Sequence, residues 1–153
     1  MSLQLDIYLN QVVQGVISLA AGEQWFSQLP DGAQVEALER LAYFALQAGA
    51  VGADVDSAVV RSGLKTGYTP CRVLAAQTKN NPKASSALRV ALSKVIALPT
   101  NERSKSFLLL IALFCVADQR RRERNFDPVH HWWHRDLSDA QIVADILARN
   151  GAP

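Results

Sequence analysis

The segment Phe107-Leu-Leu-Leu-Ile-Ala-Leu-Phe-Cys-Val-Ala117 places eleven apolar residues in a row. A helix needs about 20 to cross a bilayer, so the run is too short for a membrane span and reads as a core helix. A helix that is apolar on nearly every side must have neighbours all round it. The expectation is an all-α, single-domain helical bundle of about six to eight helices around a central apolar helix. The chain of 153 residues is long enough to bury such a helix without metal or disulfide support.

The flanking sequence supplies the other helices. Leu5, Leu9, Val12, Val13, Val16 and Ala20 recur at helical spacing, although Leu3, Leu5, Ile7 and Leu9 also alternate as a strand would. The longer stripe favours helix. A short element should start at Gly22 and end near Leu29-Pro30. Asp31 with Gln34 has the pattern of a capping box before a helix ending near Gly49. Asp54 should cap a short helix that Ser62-Gly63 stops. Thr69-Pro70 has the N-cap and N1 chemistry that opens another helix, and Pro82 again suits N1 of the next. Leu88, Ala91, Leu92 and Val95 would face inward from the second of these, with Lys83, Ser86, Arg89 and Ser93 opposite.

Leu98-Pro99-Thr100 should break that helix and cap the next, which runs through the apolar segment to about Arg124. The Leu-Pro, cap and apolar-helix pattern at Leu29-Pro30 thus recurs at Leu98-Pro99, suggesting two helical hairpins packed together. Ser138 with Gln141 would open a last helix. No Asn-Gly turn joins alternating runs, so a sheet has little support.

Charge is unevenly distributed behind a net +2. Residues 1–60 carry seven carboxylates against Arg40, whereas residues 61–124 carry thirteen bases against Glu102, Asp118 and Glu123. No carboxylate lies between Asp56 and Glu102. The simplest expectation is that the acidic first third packs beside the basic middle. Arg120-Arg-Arg-Glu-Arg124 follows the apolar helix directly and suits the negative end of its dipole. A second reading is phosphate contact by Arg120–Arg124 with Lys83, Arg89 and Lys94. Few aromatics interleave with these bases and no recognition motif occurs, which argues against nucleic acid as the partner.

All three histidines fall within five residues, in Asp127-Pro-Val-His130-His-Trp132-Trp133-His134-Arg-Asp136. On a helix His130 and His134 would share a face. With His131, and Asp136 or Asp127, they could ligate a divalent metal such as zinc, as a hydrolytic site would. The simpler reading is a lid in which the tryptophans bury area and the histidines bond at the rim, with no cofactor. No complete metal-motif spacing of the HExxH kind is present.

Cys71, in the first turn of its predicted helix beside Arg72, occupies a position that lowers a thiol pKa, although an inert, half-buried thiol is the simpler reading. Cys115 belongs to the apolar run. Two cysteines without a CxxC spacing and an N-terminus without a signal-peptide pattern point to a cytoplasmic protein.

Several segments occur together in order: Trp25-Phe26 with Leu29, Gln47-Ala-Gly-Ala50, Ser62-Gly-Leu64 with Thr69-Pro70, Phe107–Asp118 running into Arg120–Arg124, and His131-Trp-Trp-His134. In these the chain resembles a family of small bacterial proteins classed only as a domain of unknown function. The resemblance implies a helical bacterial protein and supplies no activity. Cysteines often precede the His-Trp-Trp-His segment in that family, and residues 125–129 contain none here.

The functional expectation is a non-enzymatic binding protein with a protein partner and no membrane. Its candidate binding residues are Arg120, Arg121, Arg124, His131, Trp132, Trp133 and His134. The alternatives are a metal site and nucleic-acid binding by the basic middle segment; the oligomeric state stays open.

Overall fold

The computed structural model describes residues 3–125. Among them are seven α-helices: α1 (Leu3–Val13), α2 (Leu19–Ser27), α3 (Asp31–Gln47), α4 (Val55–Ser62), α5 (Thr69–Thr78), α6 (Ser85–Ile96) and α7 (Arg103–Asn125). Two 3-10 turns, Gly52–Asp54 and Thr100–Glu102, lead into α4 and α7, and no strand occurs among the described residues. The helix expected after Ser138 lies outside them.

The apolar run forms the middle of α7 and is the centre of the bundle, as its composition requires. Phe107, Leu109, Leu110, Ile111, Leu113, Phe114 and Ala117 are buried. Helices α3 and α4 make the most extensive contacts with α7, and α2, α1, α5 and α6 also touch it. No helix among the described residues is long and apolar enough to cross a membrane.

At the N-terminal end of α7, Phe107 stacks on Phe26 with centroids 4.5 Å apart, and Trp25 tilts against it at 6.2 Å. Tyr8 of α1 stacks on Trp25 at 5.1 Å. The aromatic residues of α1 and α2 therefore close this end of the core. Further along, Phe44 of α3 meets Phe114 edge to face at 6.4 Å.

The two Leu-Pro turns do share a backbone shape. Pro30 and Pro99 occupy the N-cap positions of their helical elements with ψ of 157° and 156°. They also meet: Arg103 at the start of α7 pairs with Asp31 at the start of α3, at 3.0 Å. At the other end, Arg121 donates to the Gln47 carbonyl of α3. Contacts at matching ends mean that α3 and α7 run parallel.

Several boundaries differ from the sequence expectation, each for a visible reason. The stripe from Leu5 to Ala20 divides because Gly15, at φ +79°, turns the chain after α1, leaving Val16 71 % exposed. Helix α2 then starts earlier than Gly22, capped by Ser18, whose Oγ accepts from the Ala21 N–H at 3.2 Å. Asp31 lies inside α3 rather than capping it, because its carboxylate faces Arg103. Gln34 does not close a capping box; its buried amide donates to the Phe26 carbonyl at 3.2 Å and ties α3 to α2. Thr69 and Pro70 sit one position further into α5 than expected, after Tyr68 as N-cap. Pro82 lies before α6, where its carbonyl accepts from the Ala53 N–H. Thr100 opens a 3-10 turn before α7 instead of capping it.

One buried polar pair was invisible in the sequence. Asp6 and Asn10, one turn apart on α1, are 2 % and 0 % exposed. Arg40 lies 3.4 Å from Asp6 Oδ1, yet neither that oxygen nor Asn10 Nδ2 has a hydrogen-bond partner among the described residues. Burial pushes the Asp6 carboxyl above the ordinary carboxylate range, Arg40 opposes the shift, and Glu36 adds to it.

Between the unfolded and the folded pKa, the folded chain therefore holds a proton that the unfolded chain releases. Its contribution to stability is full below the unfolded pKa and is lost as pH rises through the folded one. Asp6→Asn is expected to raise Tm near neutral pH, with the gain over the native chain shrinking towards pH ~4. Thermal melts across that range check this; a gain that grows on acidification would contradict it.

Candidate functional site

The fold sorts the basic residues into two sets. The first set is spent inside the molecule. Arg120 pairs with Asp54, whose carboxylate is buried and also accepts from the Val51 N–H at 2.9 Å. The same guanidinium donates to the Gly49 carbonyl at 2.8 Å. Together with Arg121 on the Gln47 carbonyl, this covers the exposed acceptors at the C-terminal end of α3, where the helix dipole is negative. Arg103 reaches Asp31 at 3.0 Å and the Gln34 Oε1 at 3.4 Å. Acidic first third and basic α7 thus pack together, as the charge pattern suggested.

The second set faces solvent. Lys65, Arg72, Lys79, Lys83, Arg89 and Lys94 are exposed, on the α4–α5 loop, α5, the following turn and α6. None of them makes an ion pair with a described residue. Arg72 holds only the neighbouring Thr69 Oγ1, at 3.2 Å. Lys105 lies 5.2 Å from the Tyr68 ring centroid, adding a cation over an exposed aromatic beside this surface. The stretch without carboxylates between Asp56 and Glu102 contains the whole of α5 and α6, so their positive charge is not neutralised by neighbours in the chain.

Two depressions border this surface. Between α3 and α6 lies a groove of about 630 Å³ with Glu39, Tyr43 and Gln47 on one wall and Arg89, Ser93 and Ile96 on the other. Tyr43 Oη accepts a 2.7 Å bond from Gln47 Nε2 there. Between the Gly52–Asp54 turn, α4 and α5 lies a cleft of about 650 Å³, with Arg72 and Lys79 on α5 and Asp56 across from them. Its walls are held close: a Cβ added at Gly52 would come within 2.7 Å of Thr78 Cβ and 3.2 Å of the Pro82 backbone. The Ala53 N–H bond to the Pro82 carbonyl ties the same edge to the α5–α6 turn.

Neither thiol has the features of a nucleophile. Cys71 is 1 % exposed, and burial raises its pKa instead of lowering it as its helix position suggested. Cys115 packs against the core, and burial raises its pKa too, with Arg61 opposing and Asp118 adding. Both cysteines are free thiols. Among the described residues, no three His, Cys, Asp or Glu side chains are grouped as a metal ion would require. His130, His131, Trp132, Trp133, His134 and Asp136 lie outside the described residues, and the Arg124 side chain does too.

Sequence reasoning found the basic stretch but placed its emphasis on Arg120–Arg124. The signal that separates the two sets is visible only in hindsight: the α7 arginines share their region with acceptors at helix ends, whereas the α5–α6 cations have no carboxylate within reach along the chain.

No curated protein and no solved structure matches the chain. A family model does, over residues 4–136, which takes in all but the first residue of the seven helices described above. On that match the chain belongs to DUF5958, a family of unknown function.

Proposed function

We propose that this is a non-enzymatic helical interaction protein of the bacterial cytoplasm that docks an acidic protein surface on its α5–α6 face. The observation that carries the reading is the set of six exposed cations without an ionic partner among the described residues, whereas Arg103, Arg120 and Arg121 of α7 are engaged internally. Like charges on neighbouring helices repel each other, and a partner of opposite sign relieves that cost and is steered towards it. The free thiols of Cys71 and Cys115 fit a reducing compartment.

A protein partner is favoured over nucleic acid by the carboxylate of Asp56 on the rim of the same face. A phosphate backbone presents only negative charge and would be repelled there, whereas a protein surface can offer a base to it.

Poly-glutamate is the direct probe. It is expected to bind the full chain at roughly 50 mM salt and to be lost progressively by roughly 200 mM, since exposed charges are screened over about 10 Å or less. Binding that is absent at low salt, or that does not change with salt, would remove the reading.

A further inference from the structure

Arg72, Ala75 and Ala76 on α5 and Lys79, its C-cap with helical backbone angles, fall at i, i+3, i+4 and i+7, and all four line the cleft against the Gly52–Asp54 turn. They share one face, with the cations about 10 Å apart along the helix and two methyl groups between them. All four are exposed. The opposite wall contributes Gly52, Ala53 and Val55, which carry no side-chain hydrogen-bonding group. Thr66 and Thr78 also line the cleft, and the Thr78 hydroxyl is already donated to the Leu74 carbonyl at 2.7 Å. The bed is therefore mostly apolar, with the positive charges of Arg72 and Lys79 along α5 and one negative charge, Asp56, across from them.

We propose that this cleft is the docking site for an acidic α-helix of a partner protein, whose carboxylates two turns apart pair with Arg72 and Lys79. The inference rests on the acidic-partner reading above and gives it a register. Carboxylates at i and i+7 of a helix are also about 10 Å apart, so one helix laid along α5 meets both cations without distortion. Small side chains at the two central positions let the helices approach closely, and small apolar residues on the partner would fill the bed. Asp56 accepts a lysine or arginine from the partner's flank, which fixes direction and disfavours a uniformly negative ligand. The bed has no aromatic platform on which bases could stack.

The experiment uses the full chain and two synthetic helical peptides of identical composition. One carries its glutamates seven apart on an alanine face with a lysine offset; the other has the glutamates moved to opposite faces. Fluorescence anisotropy at roughly 50 mM salt is expected to show the matched peptide binding about tenfold more tightly. Arg72→Glu with Lys79→Glu should weaken it about thirtyfold, and Lys83→Glu with Lys94→Glu less than about threefold. Should the first pair compromise folding, Arg72→Gln with Lys79→Gln is expected to shift binding in the same direction by about tenfold.

Equal affinity for the two peptides, or equal losses from the two charge-reversed pairs, would overturn the cleft while leaving the α5–α6 surface in place as long as poly-glutamate still binds. Failure of poly-glutamate as well would remove both. A DNA duplex of the same net charge that binds more tightly than the matched peptide would also overturn the proposal.

Discussion

Replacing Phe107 with alanine is expected to lower stability by about 3–5 kcal/mol, the usual range for deleting a buried aromatic ring. Phe107 is 0 % exposed and is the ring on which Phe26 stacks and Trp25 leans. Its truncation opens a cavity where α1, α2 and α7 meet. Gly22 already brings α2 close there, with an added Cβ only 3.0 Å from Val12 Cγ2, so that helix has little room to collapse inward without displacing Val12. A domain of this kind has about 5–15 kcal/mol in total, so the variant would sit near the edge of unfolding.

Thermal and urea melts followed by circular dichroism check this, with a drop in Tm of roughly 10–15 °C. Phe107→Leu, which retains most of the volume, should lose no more than about 1.5 kcal/mol. A loss below about 1 kcal/mol for the alanine variant would mean that the ring stack does not support the core.

Arg120→Ala is the second large effect, expected at about 2–3 kcal/mol. Removing the guanidinium leaves the Asp54 carboxylate, whose side chain is 5 % exposed, with the Val51 N–H as its remaining partner. It also uncovers the Gly49 carbonyl at the end of α3. Breaking a fully buried pair typically costs about 3–5 kcal/mol, and the value here is lower because Arg120 itself is a third exposed.

Arg120→Lys should recover less than half of the loss, since an ammonium cannot present the two-pronged fork that spans Asp54 and Gly49. Combining Arg120→Ala with Asp54→Asn isolates the pair: the double variant should be less destabilised than the sum of the singles by about 1–2 kcal/mol. Additive effects would show that the two groups do not stabilise each other.

Together these predictions separate what α7 does at its two ends. Its N-terminal half holds the core by apolar and aromatic packing, while Arg120 and Arg121 fasten its C-terminal part to the end of α3 and to the turn before α4. The basic run after the buried helix therefore includes two structural contacts, and α5 and α6 carry exposed cations that no described residue pairs.

How much of this was legible in the sequence depends on the range of the interaction. The Phe107–Ala117 run required a central helix, because eleven apolar residues in succession leave no polar face to give to water. The stops at Gly49 and Gly63 were local as well. The caps were less legible. Asp31 and Gln34 have a capping-box spacing, but Arg103, 72 residues away, engages Asp31, and the Gln34 amide goes to the Phe26 carbonyl. A sequence pattern identifies a group that wants a hydrogen bond; it does not identify which partner the fold brings.

The candidate site shows the same division. The absence of carboxylates between Asp56 and Glu102 was plain, and so was the excess of bases. Nothing local indicated that Arg103, Arg120 and Arg121 would be taken up by α3 and its following turn, or that Gly52 would pack against Thr78 and Pro82 to set Asp56 across from Arg72 and Lys79. Nor could Asp6 and Asn10 be distinguished from surface residues, since the α1 stripe gives a face without saying how deeply its edges are covered.

By itself, then, the sequence determined the helical class, the central position of α7 and the electrostatic asymmetry, because periodicity, run length and charge are properties of neighbouring residues. The tertiary structure alone decided that α3 and α7 lie parallel, clamped at both ends, and that no described residue pairs the cations of α5 and α6. The physical reason is that an ion pair or a cleft depends on which distant groups are brought within a few ångströms, and that distance is set by packing.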